Sequence, residues 1–373
     1  MSVQNVKKIA ADLSKEKKPS KKDQHKKNLT NLKTLLTKMN SKGELHLGFG
    51  MVDKVEFYPT PFVTVNEMIG GGFPKGKYVT IAGAEQTAKG TLILQTIAYN
   101  MQLDPNFTVL WTDAENALDE SWCLVHGVDL DRVIVQKYSD DAEYMEKLLD
   151  DGMKIIETGA ISMWVIDSVG ALLPKAEFTK DIEDNSMLDL QRKLGLFFRK
   201  NVHTMDKNKV STIMIGQIYE APNTSYVDIR VKGGNAMKHW AHLRLMTRRG
   251  NQKEVTGGKN SILMADGTLR DIMSGWSMHL KVDKTRLNGN EGRSVMLQFV
   301  LGRGLDCTES AITALFASSV FKQSGAWFYH DKLHTGKIQG KDALINLLQA
   351  DEALRESLIK ELDETLAEES QKQ

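Results

Sequence analysis

The sequence predicts an α/β fold that is built on a mainly parallel central sheet. Apolar segments of strand length alternate with longer segments of helical periodicity, such as 90–102 and 142–159. The strand candidates are residues 77–83, 108–115, 132–138, 161–169 and 210–218. Uninterrupted apolar strands are typical of parallel sheets buried on both faces, and each parallel connection needs a crossover, usually a helix. The helical segments supply those crossovers, so we expect helices on both faces of the sheet.

Two later segments, 242–250 and 277–285, have the pattern of hairpin strands. Asp266 and Gly267 lie between them and suit a type I′-like turn. We therefore expect these strands to be appended at the edge of the sheet.

The last part of the chain predicts a small α+β domain. After about residue 303 the periodicity becomes helical, over 310–323 and 341–369. A hairpin-like insert at 325–340 separates the two helical segments. The final two dozen residues are rich in Asp and Glu and are opposite in charge to the lysine-rich N-terminus.

The start of the chain predicts a basic arm followed by a helix. Apolar residues recur at helical spacing over 28–43, and Gly43 closes the pattern; they are Leu29, Leu32, Leu35, Leu36 and Met39. Such a helix must dock on this chain or on a neighbouring copy. The arm suits either a solvated tail or a contact with nucleic acid. The expected division is a basic flexible arm over 1–27, an N-terminal oligomerisation helix within 28–50, a core over 51–302 and a C-terminal domain with an acidic tail over 303–373.

Composition excludes several classes of protein. The chain has 41% hydrophobic and 26% charged residues, which is typical of a globular protein. No apolar run approaches the roughly 18 residues of a membrane span, and the N-terminus lacks the apolar segment of a secretory signal. Cys123 and Cys307 suggest neither a disulfide framework nor a zinc site, and we expect both to be buried thiols. These features predict a cytoplasmic location without membrane partners. Because the net charge is only +1, affinity for nucleic acid would have to come from local clusters.

The segment after the first strand candidate resembles a phosphate-binding loop with two departures. Gly83 and Lys89 have the spacing of G-x-x-x-x-G-K-[ST], in which backbone N–H groups and a lysine cradle phosphates. Ala88 replaces the second glycine, and we expect the loop to accept it if φ stays negative. Gly90 replaces the hydroxyl residue that ligates Mg²⁺. Thr91 is rotated by about 100° on the helix and does not simply substitute for it, whereas water can fill the position.

Polar residues end several of the predicted strands, at the edge where open α/β sheets bind ligands. They are Lys89, Asp113, Glu115, Asp167, Ser168 and Gln217. Each alone could equally cap the following helix. Together they supply what nucleotide hydrolysis needs: Lys89 to neutralise phosphate charge, Asp167 to hold Mg²⁺, Glu115 to orient and deprotonate water, and Gln217 to sense the γ-phosphate.

Long segments match a known family in order. They include "DAENALDESWCLVHGVDLDRV", "VIDSVGALLPKAE", "KGGNAMKHWAHLRL", "KVDKTR" and "SGAWFYHDKLHTGKIQGKDA". With these segments the chain resembles the bacterial RecA recombinase family, from about residue 30 to 365. The resemblance implies a RecA-like P-loop core with an N-terminal helix and a small α+β C-terminal domain. Its divergent loops favour a phage-encoded or otherwise divergent member.

The resemblance also implies a nucleotide site that two subunits share. Glu115 matches the catalytic glutamate, Asp167 the Walker-B aspartate and Gln217 the γ-phosphate sensor. The implied cofactors are ATP and Mg²⁺, and the implied loop residues are Gly83, Ala84, Glu85, Gln86, Thr87, Ala88, Lys89, Gly90 and Thr91. Trp122 stands where an aromatic ring stacks on adenine, with Asp119 beside the base, although a core tryptophan is an alternative. Lys284 and Arg286 match two lysines that reach the neighbouring subunit's γ-phosphate.

Two loops of the family face DNA. The first corresponds to residues 180–193, where Met187 is a candidate wedge; Arg192 and Arg199 follow on one helical face as phosphate contacts. The second corresponds to residues 219–235 and is expected to be mobile. Its candidate contacts are Arg230, Lys232, Gly233, Gly234 and Asn235.

The expected function is a DNA-dependent ATPase that forms a homo-oligomeric helical filament on single-stranded DNA, pairs it with duplex DNA and exchanges strands. Hydrolysis is expected to be slow because of the atypical loop. One alternative is a non-hydrolysing structural or DNA-coating filament that binds nucleotide at its interfaces. Another is a hexameric helicase with the same core. The expected location is the bacterial cytoplasm and nucleoid or a phage-infected cell.

Overall fold

The structure is a computed structural model that describes most of the chain. The described residues are 21–39, 55–139, 144–178, 188–220, 229–231, 234–250, 260–263, 269–272, 275–287 and 289–372. They divide into two compact units, residues 1–55 and 56–373.

The first unit contributes one described helix, α1 (Lys21–Met39). It begins ahead of residue 28, where the apolar pattern predicted its start. Leu29, Leu32 and Leu35 are 40%, 42% and 52% exposed. This row of leucines is therefore an apolar stripe on the surface of α1. The expected helix end at Gly43 lies outside the described residues.

The second unit contains the described strands and the remaining described helices. The strands are β1 (Phe57–Tyr58), β2 (Phe73–Pro74), β3 (Tyr78–Gly83), β4 (Val109–Asp113), β5 (Val133–Gln136), β6 (Met163–Asp167), β7 (Ser211–Glu220), β8 (Ile229–Val231), β9 (Leu243–Arg249), β10 (Asn260–Leu263), β11 (Leu269–Ile272), β12 (Gly275–Thr285), β13 (Ser294–Val300), β14 (Gly304–Leu305), β15 (Lys322–Ser324), β16 (Trp327–Tyr329) and β17 (Lys337–Gln339). The helices are α2 (Val63–Ile69), α3 (Lys89–Leu103), α4 (Glu120–Val125), α5 (Met145–Glu157), α6 (Lys175–Phe178), α7 (Leu188–Lys207), α8 (Gly234–Trp240), α9 (Cys307–Ala317), α10 (Lys341–Ala350) and α11 (Glu352–Lys372). Short 3₁₀ turns span Leu130–Arg132 and Val169–Ala171.

The central sheet is mainly parallel, as the alternation of apolar strands and helices predicted. Its strand order is β14-β13-β12-β9-β3-β7-β6-β4-β5, and β8 pairs with β7. The run from β9 to β5 is parallel, whereas β12, β13 and β14 extend it as antiparallel strands. As predicted for hairpin strands, the segments 242–250 and 277–285 pair antiparallel with each other, as β9 and β12, but the expected edge position is wrong for β9. β9 lies inside the sheet and is parallel to β3, because helix α8 supplies the crossover that a parallel neighbour requires.

The predicted turn at Asp266 and Gly267 lies outside the described residues. The strands on either side of it, β10 and β11, pair with each other as a separate antiparallel hairpin. This hairpin is distinct from the central sheet, which resumes at β12. At the two ends of the second loop's described part, β7 continues to Glu220 and its last residues pair with β8. Residues 221–228, in the middle of this loop, lie outside the described residues.

Two hydrophobic clusters cover opposite faces of the sheet. Alternate residues of β3 divide between them, with Val79 and Ile81 in the first cluster and Tyr78 in the second. The first cluster includes the buried side of α3, and the second includes the buried sides of α5 and α7. The sheet is thus buried on both faces, which explains why its parallel strands are continuously apolar.

The C-terminal domain has its own small core. The helices α9, α10 and α11 pack with the three-stranded antiparallel sheet β15-β16-β17 around a third cluster. The helical pattern of residues 341–369 divides into two helices at Asp351. Cys123 is buried, but Cys307 is exposed, so the expectation of two buried thiols is wrong for the second. In the part of the chain that the structure describes, no helix is long and apolar enough to cross a membrane.

Candidate active site

The phosphate-loop segment connects β3 to α3, and its backbone carbonyl groups contact the side chain of Lys89. The ammonium of Lys89 donates to the carbonyl oxygens of Ala84 at 2.6 Å and Gly83 at 3.1 Å. Gly83 has no room for a side chain, because a Cβ there would lie 2.0 Å from the hydroxyl of Thr247 on β9. Burial lowers the pKa of Lys89, whereas the negative charges of Asp167 and Glu115 raise it. A lysine in this position suits a bound anion, which would replace the carbonyl contacts.

Ala88 adopts a left-handed backbone conformation, with φ of 60° and ψ of 25°. The expectation of a negative φ is therefore wrong. An alanine in this conformation costs about 1–2 kcal/mol relative to the right-handed region, a cost that glycine avoids. The loop thus keeps the geometry that normally requires glycine, and it tolerates the strain of a methyl group.

Gly90 lies where the loop would otherwise carry a hydroxyl. A Cβ built on Gly90 meets no other atom within 4 Å, so the space for a side chain is open. The neighbouring hydroxyl of Thr91 accepts a hydrogen bond from the indole N–H of Trp122 at 3.4 Å. Thr91 is buried and directed to the tryptophan. Nothing among these contacts supplies a hydroxyl at the position of Gly90.

The acidic and amide groups come together at the same edge of the sheet as the loop. Asp167 ends β6, and its pairing partner Asp113 ends β4. The carboxylate of Glu115 accepts hydrogen bonds from the hydroxyl of Ser168 and from the amide of Gln217, the latter at 3.0 Å. Gln217 is not the last residue of β7, but its pairing with Gly83 places it at the end of the parallel part of the strand.

Asp113 differs from the other carboxylates because its oxygens are already satisfied. They accept the backbone N–H groups of Ala117 at 3.0 Å and Leu118 at 3.2 Å, and Lys137 lies 3.3 Å away. The side chain is only 1% exposed. Asp113 therefore fixes the turn that follows β4, which carries Glu115, and leaves ligand contacts to its neighbours.

Asp167 occupies an environment that disfavours its charged form. Burial, together with the negative charges of Glu115 and Asp113, raises its pKa to about 7, although Lys89 opposes this shift. A carboxylate with this surplus of negative charge suits a divalent cation. The described residues contain no cluster of three or more metal-ligating side chains. The fit is therefore to Mg²⁺, which takes one or two carboxylates and fills its other positions with water and phosphate oxygens.

A cavity of about 260 Å³ lies between the loop and α4. Trp122 lines it and packs edge-on against His126, with ring centroids 4.4 Å apart. Asp119 caps α4 by accepting the backbone N–H of Trp122 at 3.0 Å. Hydrogen bonds from Ser121 and from that N–H hold the pKa of Asp119 below its usual value. Trp122 is thus partly exposed to the cavity, and Asp119 lines the same cavity while it caps α4.

Lys284 and Arg286 lie at the opposite edge of the sheet. Lys284 is paired with Arg244 at the start of β9, and the backbone N–H of Arg286 donates to the carbonyl of His242. The loop edge is marked by Thr247, which pairs with Gly83. From His242 to Thr247 a strand extends about 16 Å. These two cations therefore do not share an edge with Lys89 in one subunit.

The candidate DNA residues are only partly described. Arg192 and Arg199 lie on α7 and are exposed, and Arg192 forms an ion pair with Asp189 at 2.9 Å. Arg230 belongs to β8. Gly234 and Asn235 begin α8, and a Cβ on Gly234 would collide with the side chain of Gln191 on α7. Met187, Lys232 and Gly233 lie outside the described residues.

Sequence reasoning missed Thr247, which joins the loop to a distant strand. Its hydroxyl lies 2.7 Å from that of Thr87, which in turn donates to the carbonyl of Ala84 at 2.9 Å. Thr87 and Ala84 belong to the loop, whereas Thr247 is far from both in the sequence. Only the parallel register of β3 and β9 could have revealed this contact.

Replacement of Asp167 by Asn is expected to stabilise the ligand-free protein in a pH-dependent way. The carboxyl is protonated in the folded state below about pH 7 but ionises near pH 4 when unfolded, so native stability falls as pH rises between these values. Asn removes this penalty. The gain in unfolding free energy should grow from pH 4 to pH 7 and then stay constant, on the order of 2 to 4 kcal/mol. Urea denaturation across this pH range measures it.

Asp113→Asn is the matched control for that measurement. Because Asp113 accepts two backbone N–H groups and pairs with Lys137, its replacement should destabilise the protein. An Asp167→Asn protein that is less stable than the parent at pH 8 would contradict the assignment of a strained carboxylate.

Comparison with known proteins places this site in a family context. Residues 27–268 match the family model of the RecA N-terminal domain. Protein RecA of Fusobacterium nucleatum is 30% identical over 315 residues, which are 84% of this chain and 77% of that protein. Protein RecA of Lactococcus lactis subsp. cremoris is 30% identical, over 83% of this chain and 77% of that protein. Protein RecA of Mycoplasma mobile is 26% identical, over 85% of this chain and 89% of that protein. The family model spans the loop, Glu115, Asp167 and Gln217, and it ends before Lys284.

Proposed function

Because the chain belongs to the RecA family, we propose that it is a DNA-dependent ATPase that assembles head to tail into a helical filament on single-stranded DNA. In this state it pairs the bound strand with duplex DNA and exchanges strands. The observation that carries the proposal is the separation of the charged groups. Lys89, Glu115 and Asp167 share one edge of the sheet, whereas Lys284 and Arg286 lie at the other.

This separation supports a nucleotide site that two subunits complete. A cation at the far edge of one subunit reaches a phosphate at the loop edge of another only if the copies stack in the same direction. Such a contact joins different surfaces, so it is heterologous, and it produces an open helix when the rotation does not close. Lys284 and Arg286 then have the function of an arginine finger supplied in trans.

The apolar surface supports the same assembly. The stripe of Leu29, Leu32 and Leu35 on α1 is exposed and needs a partner. Among the described strands, β5 is the last of the central sheet, and its Ile134 and Val135 are 42% and 45% exposed. An unpaired strand edge with apolar side chains is a ready site for another chain. We propose that the N-terminal segment of one copy covers this edge on the next.

Within the site, the chain's own residues have distinct functions. Lys89 exchanges its contacts with the loop carbonyls for β- and γ-phosphate oxygens. Glu115 orients the attacking water and accepts its proton, and Gln217 links Glu115 to the last residues of β7. Asp167 would hold Mg²⁺, which when bound would supply neutralisation of the phosphate charge. Trp122 stacks on the adenine ring.

The DNA surface is proposed at α7 and at the start of α8. Arg192 and Arg199 are exposed on α7, and Asn235 lies nearby, since Gly234 is in close contact with Gln191. Arg230 on β8 is proposed as a further contact, together with Met187, Lys232 and Gly233, which lie outside the described residues. Phosphate contacts of this kind give affinity without sequence preference, which a general recombinase requires.

Replacement of Gly90 by Thr is expected to accelerate ATP hydrolysis. The backbone leaves open space for the side chain, so the new hydroxyl can join the Mg²⁺ coordination sphere in place of water. We expect the turnover number to rise by roughly tenfold, which corresponds to about 1.4 kcal/mol of transition-state stabilisation. Gly90→Ala is the control, because it adds a Cβ without an oxygen. Equal rates for the Thr and Ala proteins would show that the missing hydroxyl does not limit hydrolysis.

Two measurements test the proposed function. Electron microscopy with single-stranded DNA and a non-hydrolysable ATP analogue should show filaments, whereas closed rings would favour the helicase alternative. Steady-state hydrolysis should be stimulated by DNA and should exceed that of the Lys89→Ala, Glu115→Ala double variant. Filaments without hydrolysis above that baseline would leave the non-hydrolysing filament as the function. A monomer that ignores both DNA and adenine nucleotides would refute the proposal.

A further inference from the structure

The register of β12 shifts by one residue beside the cations of the proposed shared site. Val282 pairs with Leu245 of β9, and Lys284 pairs with the adjacent residue Arg244. Two steps along β12 therefore match one step along β9. Asp283 is the extra residue, and it forms a β-bulge.

The bulge changes the face of the sheet to which the following side chains point. Before it, alternate residues of β12 lie in the first hydrophobic cluster; they are Trp276, Met278, Leu280 and Val282. An uninterrupted strand would place Lys284 next on that apolar face. Instead, its ammonium donates to the carbonyl oxygen of Lys238 at 2.6 Å, at the end of α8. The buried residues of α8, Ala236 and Met237, belong to the second cluster, on the opposite face.

An ion pair holds the bulge. The guanidinium Nε of Arg244 lies 3.2 Å from the carboxylate of Asp283, and the Arg244 side chain is only 11% exposed. Arg244 is also the direct cross-strand partner of Lys284. Two like charges opposite each other destabilise a strand pair, so the carboxylate of Asp283 offsets a repulsion at this point. Burial lowers the pKa of Lys284. The positive charges of Arg286 and Arg244 lower it further, which is the effect expected of this repulsion.

Arg286 follows the same orientation. Its guanidinium donates to the carbonyl oxygen of His239 at 2.6 Å, beside the contact that Lys284 makes. The two cations thus lie side by side on the face that α8 occupies. Without the bulge, both would be directed into the apolar cluster around Val282, where a lysine ammonium would be costly to bury.

We propose that Asp283 is a positioning residue for the shared nucleotide site: its bulge, held by the ion pair with Arg244, directs Lys284 and Arg286 toward the neighbouring subunit. This inference rests on the proposed function. It assigns a function to two residues that do not touch the nucleotide. Asp283 sets the backbone register, and Arg244 fixes the orientation of Asp283.

The test compares ATP hydrolysis by the full-length variants on single-stranded DNA. Asp283→Asn keeps the size of the side chain but loses its charge, and we expect roughly tenfold slower hydrolysis, a fraction of the loss when a trans cation is removed. Asp283→Glu keeps the charge and should restore most of the rate. Glu56→Gln is the control, because it removes a different partly exposed ion pair, with Lys75 at 3.0 Å.

Mixing variants separates positioning from general damage. Asp283→Asn subunits have an intact loop but misdirected cations, whereas Lys89→Ala subunits have a defective loop and correctly directed cations. An equal mixture should hydrolyse ATP faster than the average of the two proteins alone. A merely misfolded Asp283→Asn protein would show no such rescue, and that result would overturn the inference.

A second comparison separates this inference from the proposed function. If a Lys284→Ala, Arg286→Ala double variant hydrolyses ATP normally, the shared site itself is wrong. If that double variant is impaired while Asp283→Asn is not, only the positioning by Asp283 is wrong.

Discussion

Replacement of Glu115 by Gln is expected to abolish most ATP hydrolysis while leaving nucleotide binding intact. The carboxylate accepts hydrogen bonds from Ser168 and Gln217, and the carbonyl oxygen of a glutamine can accept both. The fold of the site should therefore persist. The amide cannot take a proton from water, so the turnover number should fall by about 10²- to 10⁴-fold. Steady-state hydrolysis on single-stranded DNA measures the loss, and a fluorescent ATP analogue measures binding.

The control for this experiment is Glu120→Gln. Glu120 lies in the first turn of α4, next to Asp119, and no catalytic function is assigned to it. It removes one negative charge near the site without altering the Glu115 contacts. If Glu115→Gln retains the parent rate, another group must activate the water. If it loses nucleotide binding as well, Glu115 has a structural function in the site.

Removal of both trans cations is expected to have an effect of similar or greater size. The Lys284→Ala, Arg286→Ala protein should hydrolyse ATP at least about 10³-fold more slowly, the loss observed when an arginine finger is absent. Each isolated subunit should still bind ATP, because the cations lie about 16 Å along the sheet from the loop edge. Steady-state hydrolysis on single-stranded DNA measures the loss of catalysis. ATP binding to the dilute, unassembled protein measures whether the subunit's own site is intact.

Lys281→Ala provides the matched control. Lys281 is an exposed cation on the same strand, ahead of the bulge at Asp283. It should have little effect on hydrolysis. A double variant that binds ATP less tightly as a dilute monomer would contradict the trans assignment, because one subunit would then be using its own cations.

The sequence predicted the parts of this site that depend on local pattern. Apolar strands with polar ends placed Glu115, Asp167 and Gln217 at one edge, and the structure brings them together there. The apolar pattern also identified the parallel strands. Each of these features depends on one strand and the polar residue at its own end, which are close together in the sequence. Residue type and periodicity are therefore enough to predict them.

Features that depend on strand pairing were not predictable in the same way. The inner position of β9, the contact between Thr247 and the loop, and the bulge at Asp283 all follow from the register of strands far apart in sequence. Ala88 shows a second limit, because the surrounding loop imposes a left-handed conformation that its side chain disfavours. Asp113 shows a third. Its residue type suits a ligand contact, but the backbone N–H groups around it determine its structural function.

The placement of the two cations at the far edge has a consequence for the ends of any assembly. In the proposed head-to-tail row of subunits, the phosphate loop of the subunit at one end would receive no cations from a neighbour. At the other end, Lys284 and Arg286 would have no neighbouring nucleotide to contact. In the proposed assembly, one ATP in every row would therefore be bound without being hydrolysed, whatever the number of subunits in the row. The incomplete site is a larger fraction of all sites in a short row than in a long one. The rate of ATP hydrolysis per subunit should therefore increase with the number of subunits in the row. The addition and the loss of subunits would then differ between the two ends, so the row would be polar along the DNA.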